Sequence, residues 1–185
     1  PCGPYFETFD DAAAGWFIGQ IGDLQADIIG GEYRLHFTTP GAVWLMPGPM
    51  CSRTEYVAAV DAHWGGVTGN FIGLLFAIDD VRQRAYLFAV NTDTRQWMVF
   101  DARPNDLRTV IAPTRDDAVR PGLEVNRLAA ERAGGRINLT INGETVGGLD
   151  DAGPGAPVLA GVAAAAYTDQ RLTDARFDNF AWRGR

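Results

Sequence analysis

Short apolar segments separated by turn-forming residues recur along nearly the whole chain, and they constrain its fold more than any other feature. Each segment has the length of a β-strand rather than of a helix. The 22 glycines and 10 prolines supply breaks between them. The pattern predicts an all-β protein. The segments are Tyr5–Phe9, Glu32–Thr38, Ala42–Met46, Tyr56–Trp64, Phe71–Ile78, Ala85–Val90, Trp97–Phe100, Leu107–Ile111, Val125–Arg132, Ile137–Ile141, Val158–Tyr167 and Ala175–Trp182.

The connections between these segments are typical of antiparallel hairpins. Asn142-Gly143 follows the alternating segment Ile137–Ile141, whose isoleucine and leucine side chains share one face. Asn-Gly readily takes positive φ at both central positions of a type I′ turn, so a tight hairpin is predicted there. Asp79-Asp80 and Asn91–Thr94 separate further apolar pairs in the same way.

Three segments are apolar on both faces, namely Phe71–Ile78, Ala85–Val90 and Trp97–Phe100. They are predicted to be central strands. One face of each should pack on an opposite sheet, and the other should be covered by loops or lie in a groove.

Two stretches are harder to interpret. Residues 112–123 are polar and contain Pro113 and Pro121, so they are predicted to form one long surface loop. Val158–Ala166 is rich in alanine and follows a proline, which suits a helix, but Gly161 and the β-branched valines favour a strand.

Length and composition restrict both the organisation and the partners of the chain. Its 185 residues suit one domain spanning residues 1–185. No segment approaches the roughly 20 apolar residues of a membrane span. The net charge of −7 disfavours nucleic acid. Lysine is absent and Ser52 is the single serine, so lysine chemistry is excluded and a serine nucleophile would have to be Ser52.

The two cysteines, Cys2 and Cys51, allow three interpretations. They form a disulfide if the compartment is oxidising, or they stay free thiols. A lipid on Cys2 is the third, and the preceding Pro1 weighs against it.

A further set of segments recurs in a characteristic order along the chain: Phe9–Asp11, Trp16, Gly30–Leu35, Gly73–Phe76, Tyr86–Val90, Asn126–Leu128, Ile137–Gly143 and Phe177–Phe180. Their order resembles the concanavalin A-like lectin/glucanase jelly-roll superfamily over roughly residues 5–183. It is most similar to bacterial extracytoplasmic domains of the laminin-G-like and 3-keto-disaccharide hydrolase-like kind. The resemblance implies a two-sheet antiparallel β-sandwich, sugar binding on a concave face and, in many relatives, a structural calcium ion.

Catalytic signatures are absent from the sequence. The glucanases of this superfamily carry Glu-x-Asp-x-x-Glu on one strand, and none of the six glutamates begins that pattern. Asp61 and His63 share a strand face, where they form either an acid/base pair or ordinary solvated polar residues. No catalytic residue is therefore assigned.

Sugar binding needs flat aromatic faces with polar groups beside them. Each of the candidate aromatic residues has the alternative of packing in the core. The candidates are Trp64, Trp97 and Tyr86 as platforms, with Asp61, His63 and Arg84 as polar partners.

A calcium site is expected from the resemblance, because the related glucanases bind calcium near the first and last strands. Asp178 with Asp10 or Asp11 is the predicted ligand set. The alternative is that Asp178 accepts backbone hydrogen bonds or faces solvent.

These observations favour a non-catalytic binding module, carbohydrate-binding or adhesive, that acts outside the cytoplasm as a secreted, periplasmic or cell-surface protein. The expected partner is a carbohydrate or an extracellular protein. Two alternatives remain: a glycoside hydrolase of the 3-keto-disaccharide kind, and a structural subunit of an extracellular assembly.

Overall fold

The computed structural model describes residues 3–11, 15–104, 106–150 and 158–185. Within these ranges the chain forms fifteen β-strands in two antiparallel sheets. The described residues contain no helix that is long and apolar enough to cross a bilayer. The strands are β1 Tyr5–Glu7, β2 Gly19–Ile21, β3 Leu24–Ile29, β4 Glu32–Phe37, β5 Val43–Pro47, β6 Tyr56–Trp64, β7 Phe71–Asp79, β8 Arg84–Asn91, β9 Gln96–Arg103, β10 Asp106–Arg115, β11 Asn126–Ala133, β12 Arg136–Ile141, β13 Glu144–Asp150, β14 Leu159–Ala165 and β15 Thr173–Gly184.

The larger sheet has nine strands in the described part of the chain. Their order is β13-β12-β11-β6-β15-β4-β3-β2, and β1 pairs with the second half of β15. The first and last strands are therefore neighbours, as the resemblance implies. Strand β15 pairs first with β4 and then with β1, and its pairing with β6 shifts register between Asp178 and Ala181.

The smaller sheet has six described strands in the order β10-β9-β8-β7-β14-β5. The strands β7, β8 and β9 are joined by short turns and pair as a meander. The two-sheet sandwich confirms the predicted fold class.

The main hydrophobic core lies between the sheets. Alternation places Tyr33, Leu35 and Phe37 of β4 on its large-sheet side, and Ile72, Leu74 and Phe76 of β7 on the other. Burying side chains of this size is the main favourable term in folding, at about 1.5–3 kcal/mol each.

A second apolar cluster covers the outer face of the smaller sheet, which explains why its central strands are apolar throughout. The prediction that β7, β8 and β9 are central is confirmed, since each has a hydrogen-bonded strand on both sides. The cluster consists of Phe71, Leu75, Ile78, Ala85, Leu87, Ala89, Met98, Ala102, Ala163 and Ala165.

The structure corrects the sequence-based prediction in two places and decides one alternative that the sequence left open. Residues 112–123 are not one loop, because β10 continues to Arg115 along the edge of its sheet, where Pro113 needs no ladder partner. The strands β2 and β3 were not predicted. Leu159–Ala165 is a strand, so the helical alternative is wrong.

Candidate ligand-binding pocket

A cavity among the described residues lies on the outer face of the smaller sheet, at the end where β7 turns into β8. We call it the outer pocket, and its volume is about 810 Å³. It is lined by Val43, Leu45, Pro47, Leu75, Ile78, Asp79, Asp80, Gln83, Arg84, Ala85, Ala102, Arg103, Pro104, Asp106 and Leu107.

The floor of the outer pocket is apolar because it is part of the second apolar cluster. Leu75, Ala85 and Ala102 come from three adjacent strands, and Leu107 packs against them from β10. The pairing of Ala85 with Ala102 leaves space above the floor at this point, because both side chains end at a methyl group. A flat apolar floor of this kind suits the apolar face of a ligand.

Two arginines among the residues that line the outer pocket share one buried aspartate, on the face of β8 and β9 that Tyr86 turns toward the core. Asp101 is 5% exposed. Arg84 Nε donates to Asp101 Oδ1 at 2.7 Å, while Arg103 Nε and Nη2 donate to Oδ2 at 3.2 and 2.9 Å. Both oxygens of the Asp101 carboxylate thus accept hydrogen bonds from the two guanidinium groups.

The pKa of Asp101 reflects this arrangement. Burial alone raises it, but the hydrogen bonds from Arg103 and Arg84 outweigh burial, and the pKa lies below its usual range. Arg84 is further fixed by Tyr86, whose hydroxyl oxygen accepts from Arg84 Nη2 at 2.7 Å. The guanidinium carbon lies 4.8 Å from the Tyr86 ring centroid.

The other carboxylates around the outer pocket lie at the ends of strands or in the turn after β7. Asp79 Oδ2 accepts from Arg82 Nη1 at 2.8 Å, and its other oxygen accepts from the Arg82 backbone N–H. Asp106 Oδ2 accepts from Arg108 Nε at 2.5 Å. Asp80 is exposed at the turn.

The outer face of β8 lacks the groups that glycoside hydrolysis requires. Its residues there are Ala85, Leu87 and Ala89. A retaining hydrolase places two carboxyl groups about 5–5.5 Å apart across its substrate. Asp79 and Asp106 are instead neutralised by their arginine partners. The arrangement can bind a ligand, and its described carboxylates do not form a free acid/base pair.

The six predicted ligand residues do not converge on one site. Trp64, Trp97 and Tyr86 are 1%, 4% and 5% exposed and belong to the core between the sheets. Their rings present no open face to a sugar, because alternation along β6, β8 and β9 turns them inward. Of the six, Arg84 lines the outer pocket.

Asp61 and His63 lie on the outer face of the larger sheet, on the far side of the sandwich. His63 Nε2 is 2.6 Å from Glu32 Oε1. Asp61 accepts from Asn179 Nδ2 at 2.9 Å and from Arg127 Nη1 at 3.3 Å. The two residues therefore have separate partners, and neither lines the outer pocket.

Asp178 also lies on that outer face, directly opposite Asp61 in the strand register. Burial raises its pKa, and the nearby carboxylates of Asp61, Glu32 and Asp10 raise it further, although a hydrogen bond from the Asn179 backbone acts against them. Asp11 is exposed beside Asp10. No three histidine, cysteine, aspartate or glutamate side chains converge as a metal site anywhere in the described ranges.

Cys51 is disulfide-bonded. The sequence contains one other cysteine, Cys2, which lies outside the described residues.

Sequence reasoning missed the partners of Arg84. Asp101 and Arg103 were not singled out, although a signal was present. Counting outward from the predicted turn between β8 and β9 places Tyr86 opposite Asp101, and the observed register agrees. An arginine two residues from that tyrosine and another two residues from that aspartate share the same strand face.

Comparison with known sequences finds no matching family model and no matching curated protein. Solved structures do match. The carbohydrate-binding module CBM66 from Bacillus subtilis is 17% identical with a TM-score of 0.66, and the alignment covers 90% of this chain and 93% of that one. The β-glucanase of Bacillus licheniformis is 12% identical with a TM-score of 0.66, covering 99% of each chain.

The laminarinase catalytic domain of Thermotoga maritima is 10% identical with a TM-score of 0.69, covering 98% of this chain and 97% of that one. Identities this low establish the fold and leave function open. Together with the two-sheet topology, they show that this chain has the concanavalin A-like jelly-roll fold.

Proposed function

We propose that this chain is a non-catalytic binding module that acts outside the cytoplasm and binds carbohydrate in the outer pocket. The observation that carries the proposal is the pocket itself, which has an apolar floor and polar residues at the strand ends around it. Its central strand, β8, offers methyl and leucine side chains where a hydrolase needs carboxylates.

The outer pocket matches the general requirements of a sugar ring. One face of a pyranose is apolar and suits the floor formed by Ala85, Ala102 and Leu107. The hydroxyl groups at the ring edge need planar donors and acceptors, and the exposed side chains of Asp80 and Gln83 in the pocket lining are of these chemical types. Small-molecule sites typically show this combination of apolar lining and few polar groups. The similarity to CBM66 supports the same ligand class.

Binding is favoured over catalysis by the positions of Asp61 and His63. A hydrolase that used this pair would need both residues at the substrate site. They lie instead on the outer face of the larger sheet, where Asp61 is bonded to Asn179 and Arg127, and His63 to Glu32.

The extracytoplasmic part of the proposal is supported by Cys51. A disulfide persists in oxidising compartments and is rare where thiols are kept reduced. The bonded state of Cys51 therefore favours a secreted, periplasmic or cell-surface setting.

A structural calcium ion at Asp178 is the second part of the proposal. The donors there are of the right chemical type, because calcium prefers carboxylate and carbonyl oxygens. Asp178 and Asp10 would hold the ion, and the repulsion that raises the pKa of Asp178 would be offset by a cation. Since no three acidic side chains of the described residues converge, backbone carbonyls or water would complete the shell.

Thermal unfolding tests both parts, because a ligand that binds only the folded state raises Tm. We expect Tm to rise with a saturating oligosaccharide, and with calcium relative to chelator. Ala102→Phe, which fills the floor, should abolish the sugar-dependent rise. Ala112→Phe on the exposed edge strand is the matched control. A wild-type Tm that no sugar changes would contradict carbohydrate binding, and one that chelator leaves unchanged would contradict the calcium site.

A further inference from the structure

The lining of the outer pocket is not uniform, because its polar and aliphatic residues lie at different ends. Strand β5 contributes Val43, Leu45 and Pro47 to the lining, and all three are aliphatic. The polar lining residues lie instead where β7 turns into β8 and where β9 turns into β10. They are Asp79, Asp80, Gln83, Arg84, Arg103 and Asp106. The outer pocket therefore has an aliphatic end at β5 and a polar end at these turns.

The strand register shows that the β5 side chains point to the pocket side of the sheet. Val43 lies opposite Ala165 and Leu45 lies opposite Ala163, and both alanines belong to the second apolar cluster on the outer face. Directly opposite residues of antiparallel strands place their side chains on the same face. Met46, which alternates with them, is buried in the main core. The aliphatic end thus faces outward, as the floor of the pocket does.

A sugar ring by itself does not suit the aliphatic end. Its hydroxyl groups point outward around the ring, and those placed against Val43, Leu45 or Pro47 would lose water without gaining a partner. An aliphatic group placed there gains free energy instead, because it removes apolar surface from water. Val43 is 41% exposed, so this surface is open to a ligand. The part of the ligand at this end is therefore expected to be aliphatic.

The polar end favours an uncharged, hydroxylated head group. Asp80 and Gln83 are exposed there, and neither has a hydrogen-bond or ion-pair partner in the described part of the chain. A carboxylate accepts hydrogen bonds and an amide both donates and accepts, so the two match the hydroxyl groups of a sugar. The charges of the lining residues and of their ion-pair partners cancel, which leaves no net charge to attract an ionic head group.

We propose that the outer pocket binds a sugar that carries an aliphatic chain, as an alkyl or acyl glycoside does. This inference rests on the proposed carbohydrate-binding function. The sugar lies at the polar end beside Asp80 and Gln83. The chain extends over Leu75 toward Val43 and Leu45.

The direct test compares matched ligands by calorimetry, each below its critical micelle concentration. Octyl β-glucoside and methyl β-glucoside share the sugar and differ in the length of the alkyl chain. Each methylene group that becomes buried provides roughly a fourfold gain in affinity. We therefore expect the octyl glucoside to bind at least about tenfold more tightly. Its heat-capacity change on binding should also be more negative, because that quantity follows the apolar surface buried.

Paired variants locate the chain. Val43→Gln places a polar group at the aliphatic end and should reduce the preference for octyl glucoside at least about threefold, with the affinity for methyl glucoside unchanged. Val110→Gln is the matched control, because Val110 lies on the edge strand β10, is 42% exposed and is not part of the pocket lining. Asp80→Ala should weaken the binding of both glucosides by a similar factor, so that their ratio persists.

Triethylene glycol monooctyl ether is the third ligand, because it has the same chain without a sugar. Equal affinity for the two glucosides would overturn the inference of an aliphatic chain and leave carbohydrate binding intact. Binding of the ether as tightly as octyl glucoside, with no binding of methyl glucoside, would overturn both, since the chain alone would be the ligand. If none of the three binds, the inference is wrong, and the oligosaccharide-dependent Tm still decides carbohydrate binding.

Discussion

Asp101, which is buried, and Asp178, which is half-buried, show how neighbouring side chains, rather than burial alone, decide the pKa of a carboxyl group. Asp101 and Asp178 each lie partly inside the protein, and burial raises the pKa of both. Two arginines contact Asp101 and lower its pKa below the usual range. Asp178 faces the carboxylates of Asp61, Glu32 and Asp10, so its pKa stays raised.

The raised pKa of Asp178 predicts a pH effect on stability. The folded state binds this proton more tightly than the unfolded state does, so the favourable contribution is present below the unfolded pKa near 3.9 and is lost as pH rises through the folded pKa. In the presence of chelator, Asp178→Asn should remove this loss of stability at higher pH. The amide oxygen can still accept from the Asn179 backbone N–H, so the variant keeps that hydrogen bond. Urea unfolding at about pH 4 and pH 7 measures the difference. The same change in unfolding free energy between the two pH values for wild type and variant would contradict this prediction.

At the scale of secondary-structure elements, the turn between β12 and β13 does more than reverse the chain. Asn142 and Gly143 have φ values of 52° and 88°, consistent with the predicted turn. The Asn142 side chain also reaches out of the turn. Its Oδ1 accepts from the Arg127 backbone at 2.8 Å, and its Nδ2 donates to the Ala118 carbonyl at 2.8 Å. One side chain thus joins the turn to β11 and to the segment before it.

Asn142→Gly separates the two roles, because glycine accepts positive φ as readily as asparagine and has no side chain. If the side-chain bonds matter, the variant should lose about 1–3 kcal/mol of unfolding free energy. Chemical denaturation with an unchanged slope would measure this loss. A stability equal to that of wild type would show that Asn142 serves the backbone turn alone.

There are physical reasons why sequence reasoning missed β3 and the end of β10. Leu24 and Ala26 of β3 alternate inward, but the strand is short and contains Asp27, which pairs with Arg34 of the neighbouring strand. A charged residue in a strand depends on a partner that the local sequence does not reveal. The extension of β10 to Arg115 was missed because it passes Pro113 and two register shifts.

At the scale of the whole molecule, the disulfide-bonded state of Cys51 predicts a stabilising cross-link. The bridge that the sequence predicts, between Cys2 and Cys51, would close a loop of about fifty residues, for which chain entropy predicts a contribution of about 4 kcal/mol. The Cys51 carbonyl also accepts from Trp182 Nε1 at 2.8 Å, which ties this position to the last strand.

Reduction should therefore lower Tm by about ten degrees for a chain of this length. The measurement is calorimetry with and without a phosphine reductant. Cys51→Ser is the control, and its lower Tm should not respond to the reductant. A wild-type Tm that the reductant leaves unchanged would show that the bridge contributes nothing to stability.

The sequence by itself determined the two-sheet fold class, the approximate extent of most strands, the central position of β7, β8 and β9 and the Asn142-Gly143 turn. These properties depend on local spacing and on backbone preferences. The tertiary structure alone decided which face of β8 meets the core and which the outer pocket, because a strand apolar on both sides has no preferred face in its sequence. It also decided the partners of polar residues. Arg84 and Asp101 are 17 residues apart, and Asp61 and Asn179 are 118 apart, so only strand register brings them together.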